Sequence, residues 1–235
     1  MSDNILRAEN IVKKYKLGSG SYLTVLDHLS VDVPRGQLVM LMGRSGSGKT
    51  TLMNMLSTLD DVTEGNITFH GRDEGDVRLY QSMSAEEKEK LRRFEIGFVF
   101  QSVALIPVMT ARENIDFGLR TAGFGRSSKF LAAPDQEKID ARILEVLEVV
   151  GLADRADHYP AELSGGERQR IAIARAIAHK PQILFADEPT GALDTATGIH
   201  IAELFTELTR KEGLTIVMTT HDPRLSEFAD ELIRM

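Results

Sequence analysis

Leu29, Val31 and Val33 alternate with polar residues, the period of a half-buried strand. Pro34-Arg-Gly-Gln37 then turns the chain into an unbroken apolar run, Leu38–Met42. Residues 5–42 as a whole read as strands, with a flexible Gly-Ser linker at 18–21. Residues 51–56 read as helix, 60–65 as a turn and 66–70 as a strand, while the polar stretch 73–81 reads as a surface loop. Ser84 and Glu87 form a capping box, the serine and glutamate spacing that satisfies free N–H groups at a helix start, and open a short charged helix to Arg93. A strand follows at 96–101, ending on Gln101.

From 102 to 162 the pattern is helical. Thr110 and Glu113 form a second capping box, for a helix through about Leu119. Residues 122–134 carry Gly123, Gly125 and Pro134 and read as a mobile loop. Ile139, Ile143, Val146, Leu147 and Val150 fall at helical spacing, and Gly151 supplies the stop. Ser164 and Glu167 make a third box, for a helix over 165–178. A buried strand over 181–188, a helix marked by Ile201, Leu204, Phe205 and Leu208 and stopped at Gly213, and a strand over 214–219 complete the alternation. Asp222 and Pro223 stand as N-cap and first residue of a last helix. Strands alternating with helices predict an α/β fold. Residues 102–162 are expected to be a helical subdomain inserted into one domain whose core is 1–101 and 163–235.

The chemistry begins where the Leu38–Met42 strand ends. Gly43-Arg-Ser-Gly-Ser-Gly-Lys-Thr50 has the G-x-x-x-x-G-K-[ST] spacing of a phosphate-binding loop, with a strand before it and a helix after it. Average residue frequencies produce that spacing by chance in about one chain in a hundred of this length. Glycines let successive N–H groups turn inward on an anion, and the positive end of the following helix adds to the field. Lys49 can reach β- and γ-phosphates, and the Thr50 hydroxyl can hold Mg²⁺.

Asp187 and Glu188 end the buried strand. Beside a phosphate loop, the first carboxylate suits Mg²⁺ and the second suits polarising an attacking water. Gly165 and Gly166 in a helix's first turn cost about 1 kcal/mol each, which is reasonable where the backbone must come close to something. With the Ser164 hydroxyl they make a second phosphate site, and one chain with two such sites suggests a dimer with nucleotide at its seam. Tyr15, upstream of the loop, could stack on a purine or could simply end a strand. Gln101 could ligate Mg²⁺ or orient water. His221 sits at the C-terminal end of a strand, where open α/β sheets bind ligands.

Composition narrows the partners. The 235 residues include 28 basic and 35 acidic ones, a net charge of −7, which argues against nucleic acid as the main partner. There are no cysteines, so no disulfide framework and no thiolate metal site. No apolar run reaches bilayer-spanning length, and the N-terminus has no signal-peptide pattern.

In order, the phosphate loop, Gln101, Leu163-Ser-Gly-Gly-Glu167, residues 183–188, Ala192-Leu-Asp194 and His221 resemble the nucleotide-binding subunit of ABC transporters over essentially the whole chain. The resemblance implies a P-loop NTPase (RecA-like) core with an N-terminal antiparallel β-subdomain and an inserted α-helical subdomain. It implies ATP and Mg²⁺ as cofactors, with Thr50, Gln101 and Asp187 at the metal. Gly43, Ser45, Gly46, Ser47, Gly48, Lys49, Thr50 and Thr51 would bind phosphates, and Tyr15 would stack on adenine. Glu188, His221, Lys49 and Gln101 would carry hydrolysis. Ser164, Gly165 and Gly166 would grip ATP on a second copy, with Asp194 on the seam. The helical subdomain would meet an integral-membrane permease, which places the protein in the cytoplasm on the inner face of the membrane. The text around Gln101, residues 105–114 and residues 187–194 resembles the branch of macrolide exporters, lipoprotein-release ATPases, peptide-resistance transporters and the cell-division ATPase. Glu167 stands where many members have Gln, residues 122–136 look longer than usual, and no C-terminal regulatory domain is expected. Proteins with these motifs also act away from membranes in DNA repair, translation or cluster assembly. The missing coiled coil, zinc site and second cassette argue against the first two, and intact Glu188 and His221 argue against a purely regulatory scaffold.

Overall fold

The computed structural model describes residues 4–18, 20–124 and 135–235. Part of the 18–21 linker, most of the 122–136 loop and the first three residues therefore lie outside the described residues.

β1 (Asn4–Lys16) and β2 (Tyr22–Pro34) pair antiparallel, and β3 (Leu38–Met42) leads into α1 (Lys49–Leu56). β4 (Glu64–His70), β5 (Val77–Leu79), α2 (Ala85–Phe94) and β6 (Ile96–Val99) follow. The stretch between β6 and the next strand carries α3 (Ala111–Thr121), α4 (Gln136–Val149) and α5 (Gly165–Ile177). β7 (Ile183–Ala186), α6 (Thr195–Glu212), β8 (Thr215–Thr220) and β9 (Glu231–Arg234) complete the chain.

Two sheets result. One is antiparallel, in the order β2-β1-β4-β5; the other is parallel, in the order β6-β7-β8-β3-β9. Every residue of β7 and β8 is buried, as a parallel sheet covered on both faces requires. Alternate residues of single strands enter opposite cores. Leu184, Ile216 and Met218 pack with the helices α3 to α6, while Phe185, Val217 and Leu41 pack with α1 and the antiparallel sheet.

All three capping boxes form with both reciprocal hydrogen bonds, at Ser84, Thr110 and Ser164. Thr110→Ala is expected to cost about 1 kcal/mol of stability, read as a lower urea midpoint with an unchanged slope, because the N–H of Glu113 loses its acceptor.

The structure differs from the sequence pattern at two places. Residues 73–81 are not all loop, since Val77–Leu79 adds an edge strand to β4, and Tyr80 is buried with its hydroxyl donating to the Leu56 carbonyl at 3.0 Å. That strand is only three residues long, with two exposed apolar side chains, so no alternation announces it. After Asp222 the chain makes a 3₁₀ turn over Pro223–Phe228 rather than an α-helix, then enters β9 beside β3. Asp222 still caps the turn, accepting from the Arg224 N–H at 3.0 Å.

Candidate active site

β7, β8 and β3 are parallel neighbours, so their C-terminal ends present the two carboxylates, His221 and the phosphate loop along one edge. The loop needs its glycines. Gly46 and Gly48 have φ of 82° and 96°, and a Cβ at Gly48 would stand 3.1 Å from Leu26 Cδ2. A Cβ at Gly43 would come within 2.6 Å of both Ser47 Oγ and the Met235 carbonyl oxygen. Ser47 Oγ is buried with no hydrogen-bond partner, a cost a closed surface turn would not carry and an anion would relieve.

Lys49 is 5% exposed, and its ammonium donates to the carbonyls of Gly43 at 2.9 Å and Arg44 at 3.0 Å. The Glu188 carboxylate lies 4.0 Å from it. Thr50 Oγ1 is 3.1 Å from each carboxylate oxygen of Asp187. A hydroxyl and a carboxylate brought together at the start of α1 are hard oxygen donors of the kind Mg²⁺ takes.

Thr219 joins the carboxylates from behind. Its hydroxyl donates to Asp187 at 2.7 Å and accepts from the Glu188 N–H at 2.8 Å. Glu188 has a φ of 43°, the left-handed region that a glutamate rarely occupies, and this turn aims its side chain at the loop lysine and His221. His221 Nδ1 is 3.4 Å from Glu188 Oε2, and the imidazole is exposed. Gln101 arrives from the end of the neighbouring β6. A Cβ added to Gly191 would be 3.4 Å from both Gln101 Nε2 and Glu188 Oε2, so amide and carboxylate flank the same point.

Tyr15 ends β1 with its ring about one-third exposed, its hydroxyl 3.0 Å from Asp60, and the Lys13 ammonium 4.9 Å from the ring centroid. Burial and Asp60 push its phenol up, while the Thr51 hydroxyl opposes them, which sets Tyr15 beside the start of α1. The Lys13 ammonium lies over the ring.

The start of α5 stands apart from this group. Contacts of Gly165 and Gly166 run to Leu193 and Thr197, on and before α6. A Cβ at Gly166 would fall 2.5 Å from Thr197 Cγ2, so packing inside the chain already demands that glycine. A Cβ at Gly165 meets only ordinary contact, at 3.5 Å from Leu193. Asp194 caps α6, accepting from the Thr197 N–H at 3.1 Å and from its hydroxyl at 2.6 Å. Glu167 accepts from the Ser164 N–H at 2.8 Å, and Ser164 with Arg155 pulls its carboxyl down to about 2.

The family model described as "ABC transporter" matches residues 26–191. The chain belongs to the ABC transporter family. It is an ATP-binding and ATPase cassette of that family. A macrolide export ATP-binding/permease protein of Syntrophobacter fumaroxidans is 41% identical over 232 residues, which is 99% of this chain and 30% of that protein. The chain thus spans about a third of the length of that relative. A solved dimeric structure of MJ0796, described as a bacterial ABC transporter cassette, aligns with a TM-score of 0.82 at 38% identity, covering 98% of this chain and 94% of that one. A post-hydrolysis dimer of the same cassette bound to ADP and Pi aligns with a TM-score of 0.82 at 37% identity over the same shares.

Sequence reasoning overlooked two members of this ABC cassette's site, Thr219 and Gly191. The available signal for Thr219 was a polar pair, Thr219-Thr220, closing an otherwise apolar strand. Glu167→Gln keeps the carbonyl acceptor for Ser164 but loses the charge at the helix start and the ion pair with Arg155. A depressed carboxyl stabilises the fold above its unfolded value and loses that contribution as pH falls to the folded one. The wild type should therefore exceed the variant by less than about 1 kcal/mol at pH 7. Chemical denaturation at stepped pH should show the gap closing between about 4.3 and about 2.

Proposed function

We propose that two copies of this cassette close head to tail around two ATP, and that closure and hydrolysis drive an integral-membrane permease. The observation that carries this reading is the convergence of Lys49, Thr50, Asp187, Glu188 and His221 on one sheet edge. Ser45 to Thr51 cradle the phosphates through N–H groups, hydroxyls and the Lys49 ammonium, and Tyr15 stacks on the base. Thr50 and Asp187, with Gln101 beside them, would hold Mg²⁺, which would supply positive charge against that of the phosphates. Glu188 orients and deprotonates the attacking water, His221 steadies the γ-phosphate and the Glu188 carboxylate, and Gln101 senses occupancy of the site.

Ser164, Gly165 and Gly166 complete the site of the other copy, with Asp194 on the seam. The packing of Gly165 inside the chain would tolerate a side chain, so its smallness suits close approach of a nucleotide instead. Exchange of the same patches makes the interface isologous and two-fold symmetric. The cassettes similar to this one are described as dimeric, one of them with ADP and Pi.

The helical insertion, residues 102–162, carries the coupling. Val108 and Phe117 are exposed on the insertion, and Phe94 and Phe100 are exposed shortly before it in the chain, apolar side chains that a permease would cover. No helix among the described residues is long and apolar enough to cross a membrane, and the cassette is read as acting on the permease from the cytoplasmic face. The relative named for ATP-binding and permease functions together supports an exporter or force-transmitting type.

The test is a pull-down from detergent-solubilised membranes with tagged Glu188→Gln and ATP, followed by mass spectrometry. Recovery of a permease with few spans and a large external domain supports the reading. Recovery of soluble partners alone overturns it.

A further inference from the structure

A cavity of about 390 Å³ opens at the edge of the parallel sheet opposite the phosphate loop, where Gln182 and Leu214 lead into β7 and β8. It shares no lining residue with the pocket around Glu188 and His221. Its volume is within the range of small-molecule sites. Val146 and Val149 of α4 form one wall and Leu208 of α6 another, so the cavity lies between the helical insertion and the core. Arg72, Arg142 and Lys180, together with Arg35, line the polar side, against a single acidic lining residue, Glu212.

The basic groups differ in what they have left to give. Arg142 is committed: it donates to the carbonyls of Ala178 at 2.8 Å and Ile177 at 3.0 Å at the end of α5, and pairs with Glu145 at 2.6 Å. Arg72 donates to the Lys180 carbonyl at 2.8 Å, a partner without net charge, and both side chains are exposed at the mouth. One wall is therefore apolar, and two exposed cationic residues stand in the lining, the Arg72 guanidinium resting on the main chain of Lys180.

We propose that this cavity binds a small amphipathic anion: a straight apolar chain lying against Val146, Val149 and Leu208, with a carboxylate or phosphate head held by Arg72 and Lys180. An apolar chain gives up water there, and each methylene buried contributes about fourfold in affinity. The head gains charge-assisted hydrogen bonds, strongest from the guanidinium fork of Arg72. The occupant touches α4 and α6 together and so ties the helical insertion to the core at a distance from ATP.

The experiment is calorimetric titration of the full chain, saturated with ATP, using decanoate and decyl phosphate as probes and decanol as the uncharged control. One saturable site per chain is expected, with decanol weaker by about tenfold or more. A preference for either anion supports the proposal and assigns the head group. Arg72→Glu combined with Lys180→Glu should weaken both anions by about tenfold or more while leaving ATP affinity unchanged. Val149→Trp, at a position 37% exposed, should fill the cavity and remove binding without unfolding the chain. The proposal fails if neither anion saturates, if decanol binds as well as decanoate, or if both variants bind like the wild type.

Discussion

Glu188→Gln should stop steady-state ATP hydrolysis while leaving ATP bound. Glutamine keeps the size of the side chain and its oxygen, so the contacts with Lys49 at 4.0 Å and His221 at 3.4 Å change little in shape. What disappears is the ability to take a proton from water. A positioned general base contributes on the order of 10²–10⁴-fold, and the fall in kcat should lie in that range. Affinity should hold or tighten, because the substitution removes a negative charge from beside the site of the γ-phosphate. The closed pair should then persist, since product charge no longer forms to push it open. Phosphate release, equilibrium binding of ATP and gel filtration with ATP read the three effects. Turnover within about threefold of wild type would remove Glu188 from the role of base.

Lys49→Ala should act on the other half of the cycle. The ammonium is almost wholly buried and is held by two carbonyls of its own loop, so its position is set before nucleotide arrives. Alanine deletes the only cation the described hydrogen bonds place inside the loop. It also strands the Gly43 and Arg44 carbonyls and leaves Glu188 facing an anionic substrate without the lysine's charge. Two charge-assisted contacts to phosphate at about 1.5–3 kcal/mol each predict a loss of ATP affinity on the order of a hundredfold or more. Calorimetry with ATP and Mg²⁺ measures it directly. Affinity equal to wild type would reject the loop as the triphosphate site. The two variants separate binding from chemistry: one keeps ATP and loses turnover, the other loses ATP first.

The two substitutions also separate what sequence and structure contribute. The loop Gly43–Thr50, the capping boxes at Ser84, Thr110 and Ser164, and the apolar strands 38–42 and 183–186 are legible in the chain because each rests on interactions within a few residues. Glycine conformation, N-cap hydrogen bonds and burial on both faces of a parallel strand all leave local marks in residue type and spacing. The family resemblance rests on the phosphate loop together with Gln101, residues 163–167 and 183–188, Asp194 and His221, and the family match covers residues 26–191.

Only the tertiary structure could supply what depends on residues far apart in the chain. Strand order β6-β7-β8-β3-β9 is what sets Lys49 within 4.0 Å of Glu188, a pairing that no spacing encodes. The left-handed turn at Glu188 exists because Thr219 holds its N–H and Asp187 from another strand. Gly166 is small because Thr197, on a different helix, passes 2.5 Å from where its Cβ would be. β5 and β9 are short edge strands whose pairing partners, not their own residues, make them strands. Local sequence thus determined which chemistry this chain carries, and long-range packing decided where each group stands, because side-chain position is fixed by neighbours that only folding brings together.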